Sequence, residues 1–368
     1  MPTFEQNLDI FRATLEYLSR TDPIVEYAYR TYADLNILWR AKQITGDTLK
    51  GFLASGTVGN ARTVNVHAAD NLNRKNITKE FWIPPFRHIV GGMTYNKVEM
   101  SANNGPERRF DLAKLEWKKA RLEVIDELRR GLWGCPTSAD DVDSIYGYPY
   151  WITLGTQGST GDWTGYKTRY NDGNTPGTEY NCANLESSST LNSKHATYYA
   201  DHQGKLDESL YSMVDDANRK LNFQPPTVFQ GSEGEVAGPP KFVSFTSNNV
   251  IKVMNALNLK LNANVGPQPS NNGYFPTTGP VLPGGIPLVY VDLFDTNNVS
   301  IYGEDPIIGI NQDLLYPVVL KGWDFTLTEQ DNSVNHLNHD MFVDVCPQTW
   351  CEQRDRAGYM ISNHPQNL

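Results

Sequence analysis

Asp111-Leu-Ala-Lys-Leu-Glu-Trp-Lys-Lys-Ala-Arg-Leu-Glu-Val-Ile-Asp-Glu-Leu-Arg-Arg-Gly-Leu132 is the most regular stretch of this chain. Leu112, Leu115, Leu122, Ile125, Leu128 and Leu132 recur at helical spacing and fall on one face, interrupted by Lys118 and Lys119. Asp111 reads as the N-cap, and Arg129 and Arg130 suit the negative end of the helix dipole. Such a helix of roughly 22 residues spans about 33 Å at 1.5 Å per residue. That is longer than the average globular helix, so it reads as a spine around which other elements are arranged.

Downstream the pattern breaks. Residues 134 to 206 are rich in Gly, Ser, Thr, Asn and Tyr, and include Tyr146-Gly-Tyr-Pro-Tyr-Trp151 and Gly155-Thr-Gln-Gly-Ser-Thr-Gly161. A stretch this long with little periodicity is uncommon inside a compact domain, and its many aromatics favour ordered loops over disorder. Regular structure resumes at Leu206, Leu210, Met213, Val214, Ala217 and Leu221, a clean helical stripe stopped by Pro225-Pro226. Lys241 to Phe245 reads as a strand. Ser247, Asn248 or Asn249 caps a further helix through Leu257, and Pro287 to Phe294 is a nearly continuous apolar strand. Short strand-like pieces follow around Tyr316 to Leu320 and Trp323 to Leu327.

Upstream, Gly51 to Arg109 replaces helical periodicity with glycines, asparagines and short extended runs. Phe86 to Val90 and Met93 to Met100 read as a two-stranded excursion turning at Gly91-Gly92. It is too polar to form a core of its own, and a two-stranded arm alone is marginal in water. Phe81, Trp82, Ile83 and Phe86 stand at its base beside Pro84-Pro85, and are the candidates for contact with another subunit. Further upstream, Thr3 with Gln6 caps a helix carrying Phe4, Leu8, Phe11, Leu15 and Leu18 on one face. Asp22-Pro23 restarts a second helix carrying Val25, Ala28, Tyr32, Leu35 and Trp39.

The chain has 368 residues, 39% hydrophobic and 20% charged, as in folded globular proteins and enough for two packed regions. A formal net charge of -10 argues against a protein whose main work is gripping phosphates. The first residues, Met1-Pro-Thr-Phe-Glu-Gln-Asn, lack both a basic start and an apolar stretch, so no secretory signal is expected. No run has the length of a membrane helix. Cys135, Cys182, Cys346 and Cys351 match no common zinc spacing. Free thiols in a reducing cytoplasm are the preferred reading, although Cys346 and Cys351 are close enough in sequence to leave a disulfide open.

Sites with chemistry are weak throughout. Gly155 to Gly161 looks like a phosphate loop but lacks the Gly-Lys-Ser/Thr ending. His336-Leu-Asn-His339-Asp340 offers metal-ligand atoms at the wrong spacing for a helical zinc site and reads as an exposed polar loop. Asp140, Asp141 and Asp143 read as a solvated acidic turn. Tyr148, Tyr150, Trp151, Trp163, Tyr166 and Tyr170 suit sugar or base stacking, loop packing or subunit contacts equally. No catalytic, cofactor-binding or metal residue is assigned, and no cofactor is expected.

In order, these elements resemble the major capsid protein of tailed bacteriophages, a fold shared with encapsulin shells. The local strings that carry the resemblance are Glu127-Leu-Arg-Arg-Gly-Leu-Trp133, Tyr146-Gly-Tyr-Pro-Tyr-Trp151, Leu221-Asn-Phe-Gln-Pro-Pro226, Gly285-Ile-Pro-Leu-Val289 and Ile301-Tyr-Gly-Glu-Asp-Pro-Ile-Ile-Gly-Ile-Asn311. The resemblance implies an α+β chain. Residues 1–60 would be N-terminal arm helices and 61–110 an extension called the E-loop. Residues 111–206 would be a peripheral domain with the spine helix and a loop-rich elaboration. Residues 207–315 would be an axial domain, and 316–368 return strands of the peripheral domain with a C-terminal tail. It implies a non-enzymatic subunit, made in a bacterial host cytoplasm and ending in the virion. Its partners would be many copies of itself in pentamers and hexamers, double-stranded DNA packaged without sequence specificity, and separate scaffolding, portal or decoration proteins, with no membrane. The alternatives are an encapsulin-like compartment shell and a carbohydrate-binding virion or tail protein.

Overall fold

A computed structural model describes residues 32–39, 41–46, 49–54, 78–83, 86–96, 106–136, 141, 143–155, 157–165, 181–183, 185–186, 195–221, 242–265, 281–282, 286–295, 299–330 and 338–364. In chain order the first elements are α1 (Ala33–Leu38), β1 (Lys42–Ile44), β2 (Leu49–Ala54), β3 (Thr78–Ile83), β4 (Ile89–Asn96) and α2 (Pro106–Leu132). Next come α3 (Tyr148–Trp151), β5 (Asp162–Gly165), β6 (Asn181–Cys182), β7 (Leu185–Glu186), β8 (Thr197–Asp201), α4 (Ser209–Lys220) and β9 (Phe242–Thr246). After these stand α5 (Asn248–Val265), β10 (Val281–Leu282), β11 (Ile286–Tyr290), α6 (Val299–Tyr302), β12 (Glu304–Asn311) and β13 (Leu315–Leu320). The chain closes with β14 (Thr326–Gln330), β15 (Asn338–Val345), β16 (Pro347–Cys351), α7 (Arg354–Ala357) and β17 (Gly358–Asn363). Two compact units result. One comprises Met1–Gly46, Phe86–Leu132 and Pro317–Gln348, and the other Asp47–Pro85, Trp133–Tyr316 and Thr349–Leu368.

In the first unit, α2 lies against β4 and β15 of the antiparallel sheet β14-β15-β4. The helix starts at Pro106, five residues before the expected cap, so Asp111 lies inside it. Proline is favoured at a first helical position because its missing N–H would be unpaired there anyway. The 27 residues extend about 40 Å. Trp117, Ala120, Val124, Leu128 and Leu132 are buried, spaced three and then four apart. Two arginines, Arg121 and Arg129, are buried beside them. Leu122, expected on the apolar face, is only half-buried.

The glycine pair is not a turn. Ile89–Asn96 is one continuous strand, paired with β15 from Asn96↔Asn338 to Ile89↔Val345. A side chain at Gly91 would collide with Val124 and come within 2.8 Å of the Ala120 carbonyl oxygen. Glycine is therefore needed where the spine helix approaches the strand, and not to reverse the chain. The two-stranded ribbon lies further upstream. It pairs β2 with β3, from Leu49↔Ile83 to Ala54↔Thr78.

The second unit is built on a seven-stranded mixed sheet in the order β10-β11-β9-β12-β17-β8-β5. On one face, Leu210, Val214 and Ala217 of α4 and Val250, Met254 and Leu257 of α5 pack over Phe242, Leu288, Ile307, Ile361 and Tyr198. The opposite face carries a cross-strand row, Phe245, Ile308, Met360 and Tyr199, all fully buried. Phe245 meets Trp133, which also contacts Tyr148 and Phe294 at ring-centroid distances of 5.1, 5.5 and 4.9 Å. Burial on both faces explains why these strands lack polar alternation.

Of the segment expected to be an insertion or surface elaboration, the described elements lie largely inside. All four residues of α3 and all five of β8 are buried, and β8 is a sheet strand beside β17. Pro287 to Phe294 is strand only to Tyr290, then a 3-10 turn over Asp292–Phe294. His339 and Asp340 belong to β15 and not to a loop, and His336 lies outside the described residues.

Candidate assembly surface

The ribbon is a two-stranded pair that touches β7 of its own unit, and two strands bury little by themselves. It holds three of the four expected contact residues on consecutive positions of β3. Phe81 stands opposite Gly51, Trp82 opposite Lys50 and Ile83 opposite Leu49. Phe86 is half-buried and belongs to the other unit, where it precedes β4. Pro84 and Pro85 lie outside the described residues. Among described residues, Val90, Tyr290 and Trp323 are the large apolar side chains left exposed.

The places that looked chemical are occupied by the protein itself. In the glycine loop, the Gly158 N–H donates to Asp201 Oδ2 at 2.7 Å. Asp201 Oδ1 accepts from the backbone N–H groups of Gln203 at 2.8 Å and His364 at 3.2 Å. A buried carboxylate already satisfies donors that a phosphate would need. The N-terminus of α5, at the ends of the parallel strands β9 and β11, is filled the same way. Asn248 N–H donates to Asp295 Oδ1 at 3.1 Å, and Ser247 Oγ and Asn249 Nδ2 donate to Asp305 at 2.9 and 2.8 Å.

Tyr148, Tyr150 and Trp151 are core residues and offer no stacking platform. Trp151 Nε1 donates to Thr349 Oγ1 at 2.9 Å, and the Tyr150 hydroxyl accepts the Ala183 N–H at 2.8 Å. Trp163 is half-buried, edge-on to Tyr198, while Tyr166 and Tyr170 lie outside the described residues. Asp141 Oδ1 accepts from the N–H groups of Asp143 and Ser144, each at 3.0 Å, as an acidic turn does, while Asp140 lies outside the described residues.

All four cysteines are free and buried. Cys346 and Cys351 flank the extended strand β16, which separates them by about 16 Å at roughly 3.3 Å per residue, beyond the ~7 Å a disulfide spans. Burial pushes the thiols of Cys182, Cys346 and Cys351 up, away from the reactive thiolate. His195 Nε2 lies 3.0 Å from the Cys182 carbonyl, and Cys182 Sγ lies 3.7 Å from the Tyr150 carbonyl. The imidazole thus holds backbone and does not activate the thiol. Burial, then the nearby Arg354 charge, lowers its pKa to about 3. Among the described residues no group of three potential ligands could hold a metal ion, and no helix is long and apolar enough to cross a membrane.

Sequence reasoning missed the polar side chains that hold these parts together. Arg354 is fully buried, and reaches Trp151, His195 and Thr153 across more than 150 residues. Asp34 and Arg129 form a buried ion pair at 2.8 Å. Nothing local marks either, because their partners are distant in sequence.

A spine helix on a three-stranded sheet, a separate two-stranded ribbon and a helix-covered mixed sheet define the class of fold. No family model matches the sequence, and no curated protein matches it. Among solved structures, a chain of the cyanophage A-1(L) capsid asymmetric unit superposes with a TM-score of 0.58 and 13% identity, over 91% of this chain and 93% of that one. The fold is the tailed-phage major capsid fold that the order of elements implies. The capsid of the native GTA particle superposes at 0.49 and 9% identity, over 90% of each chain. The SrpI encapsulin of Synechococcus elongatus superposes at 0.48 and 8% identity, over 91% and 88%. Likeness at these two lower scores is too slight to bear on function.

Proposed function

We propose that this chain is the structural subunit of an icosahedral capsid that encloses a viral double-stranded DNA genome. The observation that carries the reading is the near end-to-end match of its fold to a phage capsid chain. Two features support it. The ribbon has only two strands, and a neighbouring copy would complete its burial. The chain carries a net charge of -10, and its one phosphate-like loop holds the chain's own Asp201 carboxylate. A container that must release its contents gains nothing from tight phosphate contacts.

In this reading the arm lies within residues 1–46, the unit of the spine helix (86–132 with 317–348) is the peripheral part, and the unit of the seven-stranded sheet, to which 133–206 and 349–368 also contribute, is the axial part. The extension assigned to 61–110 is better placed on the β2–β3 ribbon. Phe81, Trp82, Ile83 and Phe86 lie against a neighbour. The subunit acts without catalytic residues or cofactors, assembles as pentamers and hexamers, and resides in the virion after synthesis in the host cytoplasm. Scaffolding, portal or decoration proteins are separate chains. Light scattering on the expressed full-length chain tests the reading. Megadalton particles are expected, and a strictly monomeric protein in both lysates and virions contradicts it.

A further inference from the structure

The segment leading into the first unit is held to the spine helix mainly by directional contacts. α1 has six residues and no side-chain cap at Tyr32. A helix that short is not stable alone in water, so its position must come from docking. Leu35 and Leu38 are buried, but apolar burial is non-directional and does not choose one position along a helix. The polar contacts do. Arg129 Nε donates to Asp34 Oδ2 at 2.8 Å, both side chains being nearly inaccessible. The Tyr32 ring lies 4.5 Å from the Arg129 guanidinium carbon, and its hydroxyl donates to Asp126 Oδ1. Tyr32 and Asp34 thus engage two residues one turn apart on α2.

The other end is fixed as well. Trp39 meets Phe325 edge-on at 6.1 Å, and Phe325 lies 5.5 Å from the guanidinium carbon of Arg121. Residues 32–39 therefore run opposite to α2, entering near Asp126 and Arg129 and leaving near Arg121.

We propose that the Asp34–Arg129 pair, with Tyr32 closed over it, is a register pin that sets where the N-terminal segment docks on α2. Given the shell reading, on which this part rests, the pin also keeps the subunits uniform enough to assemble into one kind of particle. A buried ion pair adds little net stability over apolar residues of similar size, and its best-attested use is to specify register. Removing one partner alone leaves an uncompensated buried charge.

The test uses the full-length chain with Asp34→Leu and Arg129→Leu together, the charge exchange Asp34→Arg with Arg129→Asp, and Asp34→Ala alone. Amide hydrogen exchange over residues 33–38 is read beside thermal unfolding and particle images. The double leucine variant is expected to melt within a few degrees of the parent. Its single protected population should split or lose protection by about tenfold, and its particles should become heterogeneous. The charge exchange should restore one population. Wild-type protection in the double leucine variant overturns the pin, as does melting as early as in Asp34→Ala. Lost protection with uniform, normal particles overturns the link to assembly and leaves the pin standing. Should the parent chain form no particles, the shell reading fails, and the exchange data alone still decide the pin.

Discussion

Arg354 Nε donates to the carbonyl oxygen of Trp151 at 2.7 Å, across 203 residues of chain. The same guanidinium reaches the His195 carbonyl at 2.8 Å and Thr153 Oγ1 at 3.0 Å. One planar group with several fixed donors thus ties α3, the start of β8 and the final helix of the second unit into one interior.

Replacing Arg354 should therefore unfold that unit. Arg354→Met keeps much of the apolar stem but leaves buried acceptors unpaired, each worth about 1–3 kcal/mol. Arg354→Lys keeps the charge but cannot reach all three acceptors. Denaturant unfolding should show a loss of about 3 kcal/mol or more in both. A loss under about 1 kcal/mol would show that the network is not a support.

Gly91 and Gly92 should respond differently to alanine. At Gly91 the new methyl meets Val124 and the Ala120 carbonyl, whereas at Gly92 the nearest atom is Phe342 Cε1 at 3.5 Å. Overpacking of this kind costs about 1–3 kcal/mol. Gly91→Ala should lower the melting temperature and Gly92→Ala should hardly change it. Val124→Ala should rescue part of the Gly91→Ala loss, because it removes the atoms in conflict. Equal effects at the two glycines would refute the close approach of helix and strand.

His195 should make stability depend on pH. Its folded pKa, about 3, lies below its ordinary 6.5 because burial disfavours the cation. The unfolded chain therefore takes up the proton first. The stabilisation is complete above pH 6.5 and declines as the pH falls toward 3, with a slope up to ~1.4 kcal/mol per pH unit for one proton. The clean window is pH 6.5 to 5, above most carboxylate titrations. Unfolding at several pH values should show a flatter slope for His195→Asn than for the parent chain.

Trp82→Ala should separate folding from assembly. If Trp82 packs against a neighbour, its truncation removes an anchor worth about 2 kcal/mol at each contact. Circular dichroism and melting of the unassembled subunit should be unchanged while particle yield falls. A subunit that melts much earlier, with normal surviving particles, would place Trp82 in its own core.

Elements that bury one regular face were legible in the sequence. Leu210, Val214 and Ala217 are buried where the stripe puts them, and β9 begins one residue after its expected start. The spine helix was legible except at its beginning, where Pro106 precedes charged residues and carries no apolar period. Gly91-Gly92 misled because glycine serves both sharp turns and close packing, and only the neighbouring helix tells which. The ribbon escaped because β2 and β3 are separated by residues 55–77, so no short turn signal joins them. Tyr146 to Trp151 read as loop because aromatics among glycines and prolines lack a period, yet their burial is decided by Thr349 and Arg354 far along the chain. Of the four contact candidates, Phe81, Trp82 and Ile83 fall on β3 in a register the sequence did not show, and Phe86 falls in the other unit; their contact with a neighbour stays a proposal. Arg129 was marked only as a cation near the helix end, and nothing local pointed to its buried pairing with Asp34.

The most direct test of the central claim is electron microscopy of particles formed by the full-length chain, with nucleic acid measured in native particles. Closed icosahedral shells built from pentamers and hexamers are expected, with double-stranded DNA inside the native ones. Monomers or small open oligomers would contradict the shell, and closed native shells filled with protein and free of DNA would contradict the capsid.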